Sequence, residues 1–166
     1  MSQLLSVVVP MYNEAAVLTQ FHAAVSEQMQ ATGYPYEIIF VDDGSTDSSA
    51  EQVRALRATD PTIALVELSR NFGKEIALSA GLDHARGDAV IVMDADLQDP
   101  PELIHEFLRE WQAGYDVVYG QRIDRRGESR LKVLSAQWFY RVINVLSDVE
   151  IPRNVGDFRL LSRRAV

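Results

Sequence analysis

Short apolar runs and amphipathic segments alternate along this chain with little else between them, and that alternation limits what it can fold into. Leu4–Val9 is rich in β-branched residues and is expected to stop at Pro10. Val17, Leu18, Phe21, Val25 and Met29 recur at helical spacing, which predicts a helix from Glu14 to about Gln30 with Asn13 as its cap. Tyr36–Val41 reads as a second buried strand, followed by a helix to about Arg57 that Thr46 or Asp47 can cap. Thr62–Leu68 predicts a third strand, Lys74–Ala85 a helix, and Ala89–Met93 a fourth strand covered on both faces. Pro100 and Pro101 open a helix whose apolar stripe runs from Leu103 to Trp111 and ends at Gly114. Asp116–Tyr119 is a fifth strand and Leu131–Leu146 a longer helical candidate. This order predicts an α/β fold with a mostly parallel sheet and helices on both faces. Such sheets bind ligands at the carboxyl ends of their strands.

Three polar clusters fall just where those strand ends are expected: Pro10–Glu14, Asp42–Asp47 and Asp94–Asp99. Asp, Asn, Ser and Gly also form turns and caps, so any one cluster has a structural explanation. Three together point to a site. In the third, Asp94 and Asp96 are expected on one side of an extended segment, where side chains alternate with period two. Two carboxylates so placed suit a hard divalent cation, Mg2+ or Mn2+, that completes its shell with phosphate oxygens and water. Gln98 continues the spacing with a neutral oxygen.

Charge separates the chain in two. Residues 1–121 hold six Lys/Arg against nineteen Asp/Glu, whereas residues 122–166 hold ten against five. The net charge of −8 disfavours nucleic acid as a partner. There is no cysteine, which excludes thiolate metal sites and a Cys nucleophile. No Gly-x-x-x-x-Gly-Lys-Ser/Thr loop and no Gly-x-Gly-x-x-Gly follows a strand, which disfavours a P-loop NTPase and a dinucleotide-binding domain. The three histidines lack metal-ligand spacing.

The ordered set VVVPMYNE, VDDGSTD and VMDADLQDPPELI resembles the inverting family-2 glycosyltransferases with a GT-A (Rossmann-like) fold. SRNFGKEIALSAGLDHARGD narrows the likeness to the branch that uses polyprenyl phosphates, which includes dolichol-phosphate mannose synthase and undecaprenyl-phosphate glycosyltransferases. The resemblance implies a nucleoside pocket with Pro10, Tyr12 and Glu14, base and ribose contacts at Val41 and Asp43, and a diphosphate and metal site at Asp94, Ala95 and Asp96. Gln98 matches a further metal ligand. Gly120-Gln121-Arg122 and Gly156–Leu160 also match, which makes Arg122, Arg130 and Asp157 candidates on the acceptor side. Asp42 is expected to structure its loop, while Asp43 contacts the donor.

The implied partners are a UDP- or GDP-linked sugar and a polyprenyl phosphate, either undecaprenyl or dolichyl. The implied place is the cytoplasmic face of the cell membrane. A phosphate monoester is mostly ionised near neutrality, so the acceptor needs cationic positioning more than a strong base. Asp157 is then a base or an orienting group for an arginine. Residues 122–141 carry six Lys/Arg against two acids, interleaved with Leu131, Leu134, Trp138, Phe139 and Tyr140, a pattern suited to a membrane surface. Residues 1–121 are expected to form the nucleotide-sugar-binding core, and 122–166 the acceptor-side, membrane-proximal part of the same domain. Family members continue into C-terminal transmembrane helices, so this chain is expected to be a part of a longer protein. A homo-oligomer is compatible with the sequence. Transfer to a saccharide hydroxyl, a catalytically silent nucleotide-sugar-binding module and a nucleotidyltransferase are the competing readings.

Overall fold

The fold was analysed in a computed structural model of the chain, which describes residues 3–121 and 155–166. In chain order the elements are β1 (Leu5–Met11), α1 (Leu18–Thr32), β2 (Tyr36–Asp42), α2 (Ser49–Thr59), β3 (Ile63–Glu67), α3 (Lys74–His84), β4 (Ala89–Val92), α4 (Ile104–Gln112), β5 (Val117–Gln121) and β6 (Val155–Ser162). One turn of 3-10 helix, Pro101–Leu103, leads into α4. The strands form one sheet in the order β3-β2-β1-β4-β6-β5. β1 pairs in parallel with both β2 and β4, β2 pairs in parallel with β3, and β6 runs antiparallel to β4. The expected α/β class and mostly parallel sheet are present. The candidate helix Leu131–Leu146 lies outside the described residues.

Alternation along the strands builds two cores. Leu5, Val7, Val9 and Met11 of β1, with Ile38 and Phe40 of β2, face α1, α2 and α4 through Phe21, Met29, Val53, Ile104 and Phe107. Val8, Ile39, Val41, Val90 and Val92 face the other way, onto Ala77 and Leu78 of α3. Helices therefore cover both faces of the sheet. Burial on both sides is why these strands read as nearly continuous apolar runs.

The element boundaries differ from the expectations in informative places. Pro10 does not stop β1, which pairs Pro10 with Val41 and Met11 with Asp42. Asn13 does not cap α1, which begins five residues later with Val17 at its N-cap and no side-chain cap. Asn13 instead adopts a left-handed φ of 56°, and its Oδ1 accepts hydrogen bonds from the amides of Thr46 (2.8 Å) and Asp47 (3.3 Å). The residue is spent tying the loop after β1 to the loop after β2. Residues 94–97 form a turn rather than a continuation of β4, with Leu97 at φ 58°, so Asp94 and Asp96 are not two residues of one extended face. The segment VGDFRLLS, which the sequence marks only as a motif, is strand β6: Phe158, Leu160 and Ser162 are buried and alternate with the more open Asp157 and Arg159.

A polar network closes the end of the sheet remote from those loops. Buried Glu37 on β2 accepts hydrogen bonds from Ser6 Oγ (2.7 Å), the Arg86 amide (2.8 Å) and the Arg86 guanidinium (2.6 Å), and Ser6 Oγ accepts one from the Gly87 amide (2.8 Å). Burial alone would raise the carboxyl's pKa, but the hydrogen bonds from Arg86 and Ser6 and the charge of Arg86 hold it below its ordinary 4.5. A depressed folded-state pKa contributes stability above the unfolded value and loses it as pH falls. Glu37→Ala is expected to cost about 1–3 kcal/mol, because Ser6 and the Arg86 amide lose their acceptor. Urea unfolding at pH 7 and pH 3.5 would check this: the difference between wild type and variant should shrink at the lower pH.

Candidate functional site at the carboxyl edge of the sheet

The chain leaves β1 toward β2 and β3 on one side and returns to β4 on the other, so the crevice between the ends of β1 and β4 is where the strand order reverses. In an open parallel sheet that crevice takes the ligand. Here it is a cleft of about 310 Å³. It is walled by Pro10 and Met11 at the end of β1 with Tyr12 and Glu14 after it, Asp43 after β2, Asn71, Gly73, Lys74 and Ala77 around the start of α3, and Asp94, Ala95 and Asp96 after β4. Four strand ends thus contribute to one cavity, although each loop is separate in sequence.

The loops are held by their own polar contacts. Asp42 accepts from the amide and hydroxyl of Ser45. Asp43 is buried, and its two oxygens accept from the amides of Phe72 (2.8 Å) and Gly73 (2.9 Å). Gly44, at φ 72°, passes so close to the neighbouring loop that a Cβ would lie 2.5 Å from the Arg70 carbonyl carbon. A side chain there would force the loops after β2 and β3 apart. Arg70 in turn stacks on Phe72, 4.2 Å from the ring centroid.

Electrostatically the cleft is acidic. Glu14, Asp43, Asp94 and Asp96 all line it, and Lys74 is its one cation among the described residues. Partial burial raises the pKa of Glu14, and the charges of Asp96, Asp47 and Asp94 raise it further. The Lys74 ammonium lies 2.7 Å from Asp94 and 2.5 Å from Asp157, which stands on β6. Burial opposes the ammonium, but hydrogen bonds to Asp157 and Asp94 and their charges hold its pKa above the ordinary 10.5. Asp157 also faces Arg159 at 3.6 Å.

Pro10, Tyr12, Glu14, Asp43, Asp94, Ala95 and Asp96 therefore converge as the sequence suggests. Val41 does not join them: its side chain is fully buried in the core beneath α3. Gln98 is exposed and outside the cleft wall, and its backbone N–H donates to Asp96 Oδ1 at 3.0 Å. The turn at 94–97 breaks the period-two spacing that would have aligned Gln98 with the aspartates. Asp157 reaches the site through Lys74. Arg122 and Arg130 lie outside the described residues. Lys74, Asn71 and Gly73 were missed. The available signal was a fourth polar loop, Ser69–Gly73, between a strand and a helix start, which the acidic motifs overshadowed.

Residues 6–166 match the family described as glycosyl transferase family 2. The chain belongs to that family. It is 51% identical over 162 residues to an uncharacterised glycosyltransferase of Synechocystis, covering 98% of this chain and 51% of that protein. It is 48% identical over 162 residues to a bactoprenol glucosyl transferase of Shigella phage SfV, covering 98% and 53% respectively. Among solved structures, a mannosyltransferase from Pyrobaculum calidifontis in complex with GDP-Man and Mn2+ superposes with a TM-score of 0.67 at 27% identity, over 99% of this chain and 46% of that one. The chain spans about half the length of the curated relatives it matches. The GT-A (Rossmann-like) expectation agrees with this family and with the sheet described above.

Because Asp43 holds the loop before α3 with both oxygens, Asp43→Asn puts an amide donor against a backbone donor. The variant is expected to lose about 1–3 kcal/mol of stability, a structural cost that the sequence pattern assigned to Asp42 alone. Denaturant unfolding checks it, and a fully stable Asp43→Asn would show that the carboxylate does not secure the loop.

Proposed function

We propose that the chain is the donor-binding part of an inverting glycosyltransferase that moves a sugar from a UDP- or GDP-sugar to a polyprenyl phosphate at the cytoplasmic face of a membrane. The observation that carries this reading is the convergence of Asp94 and Asp96 with Glu14 and Asp43 in the crevice between β1 and β4. Half of that wall is acidic or polar, and it offers the apolar and aromatic surface of Pro10, Met11 and Tyr12 beside it. Such a cleft suits a ligand with a flat base at one end and a cation-bridged diphosphate at the other. The similarity to a bactoprenol glucosyl transferase supports a lipid phosphate acceptor.

The donor set fits a divalent cation. No group of three or more metal-ligating side chains is assembled among the described residues. Two carboxylates, Asp94 and Asp96, do line the cleft, and Mg2+ or Mn2+ is commonly held by one or two carboxylates together with substrate phosphates and water. Crowding of negative charge around Glu14 is the mark of a site short of positive charge. When bound, such a cation neutralises the leaving diphosphate as a Lewis acid. The relative solved with GDP-Man and Mn2+ supports the same assignment.

The chain's own residues then divide the work. Pro10, Tyr12 and Glu14 bound the nucleoside end, and Asp43 fixes the loop that closes it. Asp157, paired with Lys74 and near Arg159, is better suited to orienting cations than to accepting a proton. An already ionised acceptor phosphate needs no strong base, which agrees with that role. Arg122 and Arg130 are proposed to hold the acceptor phosphate, with the basic and aromatic section 122–141 at the membrane surface. No helix among the described residues is long and apolar enough to cross a membrane.

Transfer from radiolabelled UDP- and GDP-sugars to a short polyprenyl phosphate, using the full-length protein, tests this reading. Wild type should form a lipid-phosphate glycoside that EDTA suppresses. Asp96→Asn should lower the rate on the order of a hundredfold, as expected when one preorganised electrostatic contact to a reacting centre is lost. Product formed with a free saccharide but none with the lipid phosphate would reject the acceptor assignment.

A further inference from the structure

Lys74 occupies a position that neither an ordinary surface lysine nor a helix-start residue requires. It is the first residue of α3, where a cation is unfavourable against the positive end of the helix dipole. Its ammonium nevertheless turns into the cleft and is shared by two carboxylates from two different strands, Asp94 after β4 and Asp157 on β6. It directly follows Gly73, whose amide is fixed by Asp43. The loop that places the lysine is thus anchored by the same buried aspartate that lines the cleft. All its ionic partners belong to the site, and no other cation lines the cleft among the described residues.

We propose that Lys74 is a built-in counter-cation of the donor site, one that competes with the divalent cation for Asp94 and so links occupancy of that site to Asp157. This rests on the reading that the cleft takes a divalent cation at Asp94 and Asp96. Asp94 cannot give the same lone pairs to an ammonium at hydrogen-bond distance and to a metal ion. Cation binding must therefore weaken or break the contact between Lys74 and Asp94, which leaves the ammonium to Asp157. In the empty site the lysine offsets repulsion among carboxylates that would otherwise splay the loops. In the loaded site its charge remains in the cleft beside the anion-binding region. The device sets a threshold for metal loading.

The decisive experiment is titration of Mn2+ without nucleotide, followed by the loss of the free-ion electron paramagnetic resonance signal. It uses wild type and the neutral variants Lys74→Met and Lys74→Gln, with Lys74→Arg keeping the charge. Removing a charge-assisted hydrogen bond that competes with the metal should tighten Mn2+ binding about tenfold in both neutral variants. Lys74→Arg should stay closer to wild type. A variant that is merely damaged would bind the ion more weakly, so the direction of the change separates competition from structural loss. Neutral variants that bind Mn2+ as wild type does, or less tightly, overturn the proposal while leaving the metal site itself intact. Absence of binding in wild type and in every variant overturns both the proposal and the metal reading beneath it. Binding that appears only in the neutral variants supports the competition in its strongest form.

Discussion

The position of β1 between β2 and β4 is the constraint on which the rest of the molecule depends. Each of its residues from Leu5 to Met11 is buried, with Leu5, Val7, Val9 and Met11 against the helices of one face and Val8 against α3 on the other. Parallel pairing on both sides brings the ends of β1, β2 and β4 to one edge of the sheet. Loops that are 30 to 80 residues apart in sequence are thereby brought together without a dedicated scaffold. Asn13 and Asp43 then secure them with side chains that bridge neighbouring loops, one pinning the loop after β2 and the other the loop before α3.

The edge that this creates is electrostatically unfavourable by itself. Four carboxylates line the cleft against one ammonium. The upward shift at Glu14, which burial begins and the charges of Asp96, Asp47 and Asp94 add to, and the double pairing of Lys74 both reflect that imbalance. Asp43 has a structural task in the loop before α3, but Glu14, Asp94 and Asp96 add carboxylates to the same cleft, and each added one raises the cost of ionising the next. A ligand that brings its own positive charge resolves the conflict. The concentration of perturbed groups in a concave site is therefore a functional signature here. The opposite end of the sheet shows the contrast, because Glu37 there is fully satisfied by Ser6 and Arg86.

Much of this was legible in the sequence because burial on two faces leaves a simple record. Uninterrupted apolar runs marked β1, β2 and β4, and helical spacing marked α1 and α4. The acidic motifs at their ends marked most of the cleft. What was hidden depended on tertiary context. Asn13 was read as a helix cap because its chemistry suits one, but its partners lie more than thirty residues away at Thr46 and Asp47. Val41 belongs to a matching motif and yet faces the core beneath α3, since it still lies within β2, whereas Asp43 stands in the loop just beyond that strand. Gln98 was aligned with Asp94 and Asp96 by counting, and the left-handed turn at Leu97 undid the count. Lys74 follows a polar loop that marks a strand end, but its pairing with Asp157 depends on β6, more than eighty residues away in sequence.

The central claim is that the cleft between β1 and β4 holds a nucleoside diphosphate with a divalent cation. Backbone amide NMR on the labelled chain, titrated with UDP and GDP in the presence of Mg2+ and then of excess EDTA, tests it most directly. The account predicts Mg2+-dependent shifts at residues 11–14, 43–44, 71–74 and 94–97, with little change around Ser6, Glu37 and Arg86 at the far end of the sheet. Shifts that ignore EDTA, or that fall away from these four loops, would contradict it.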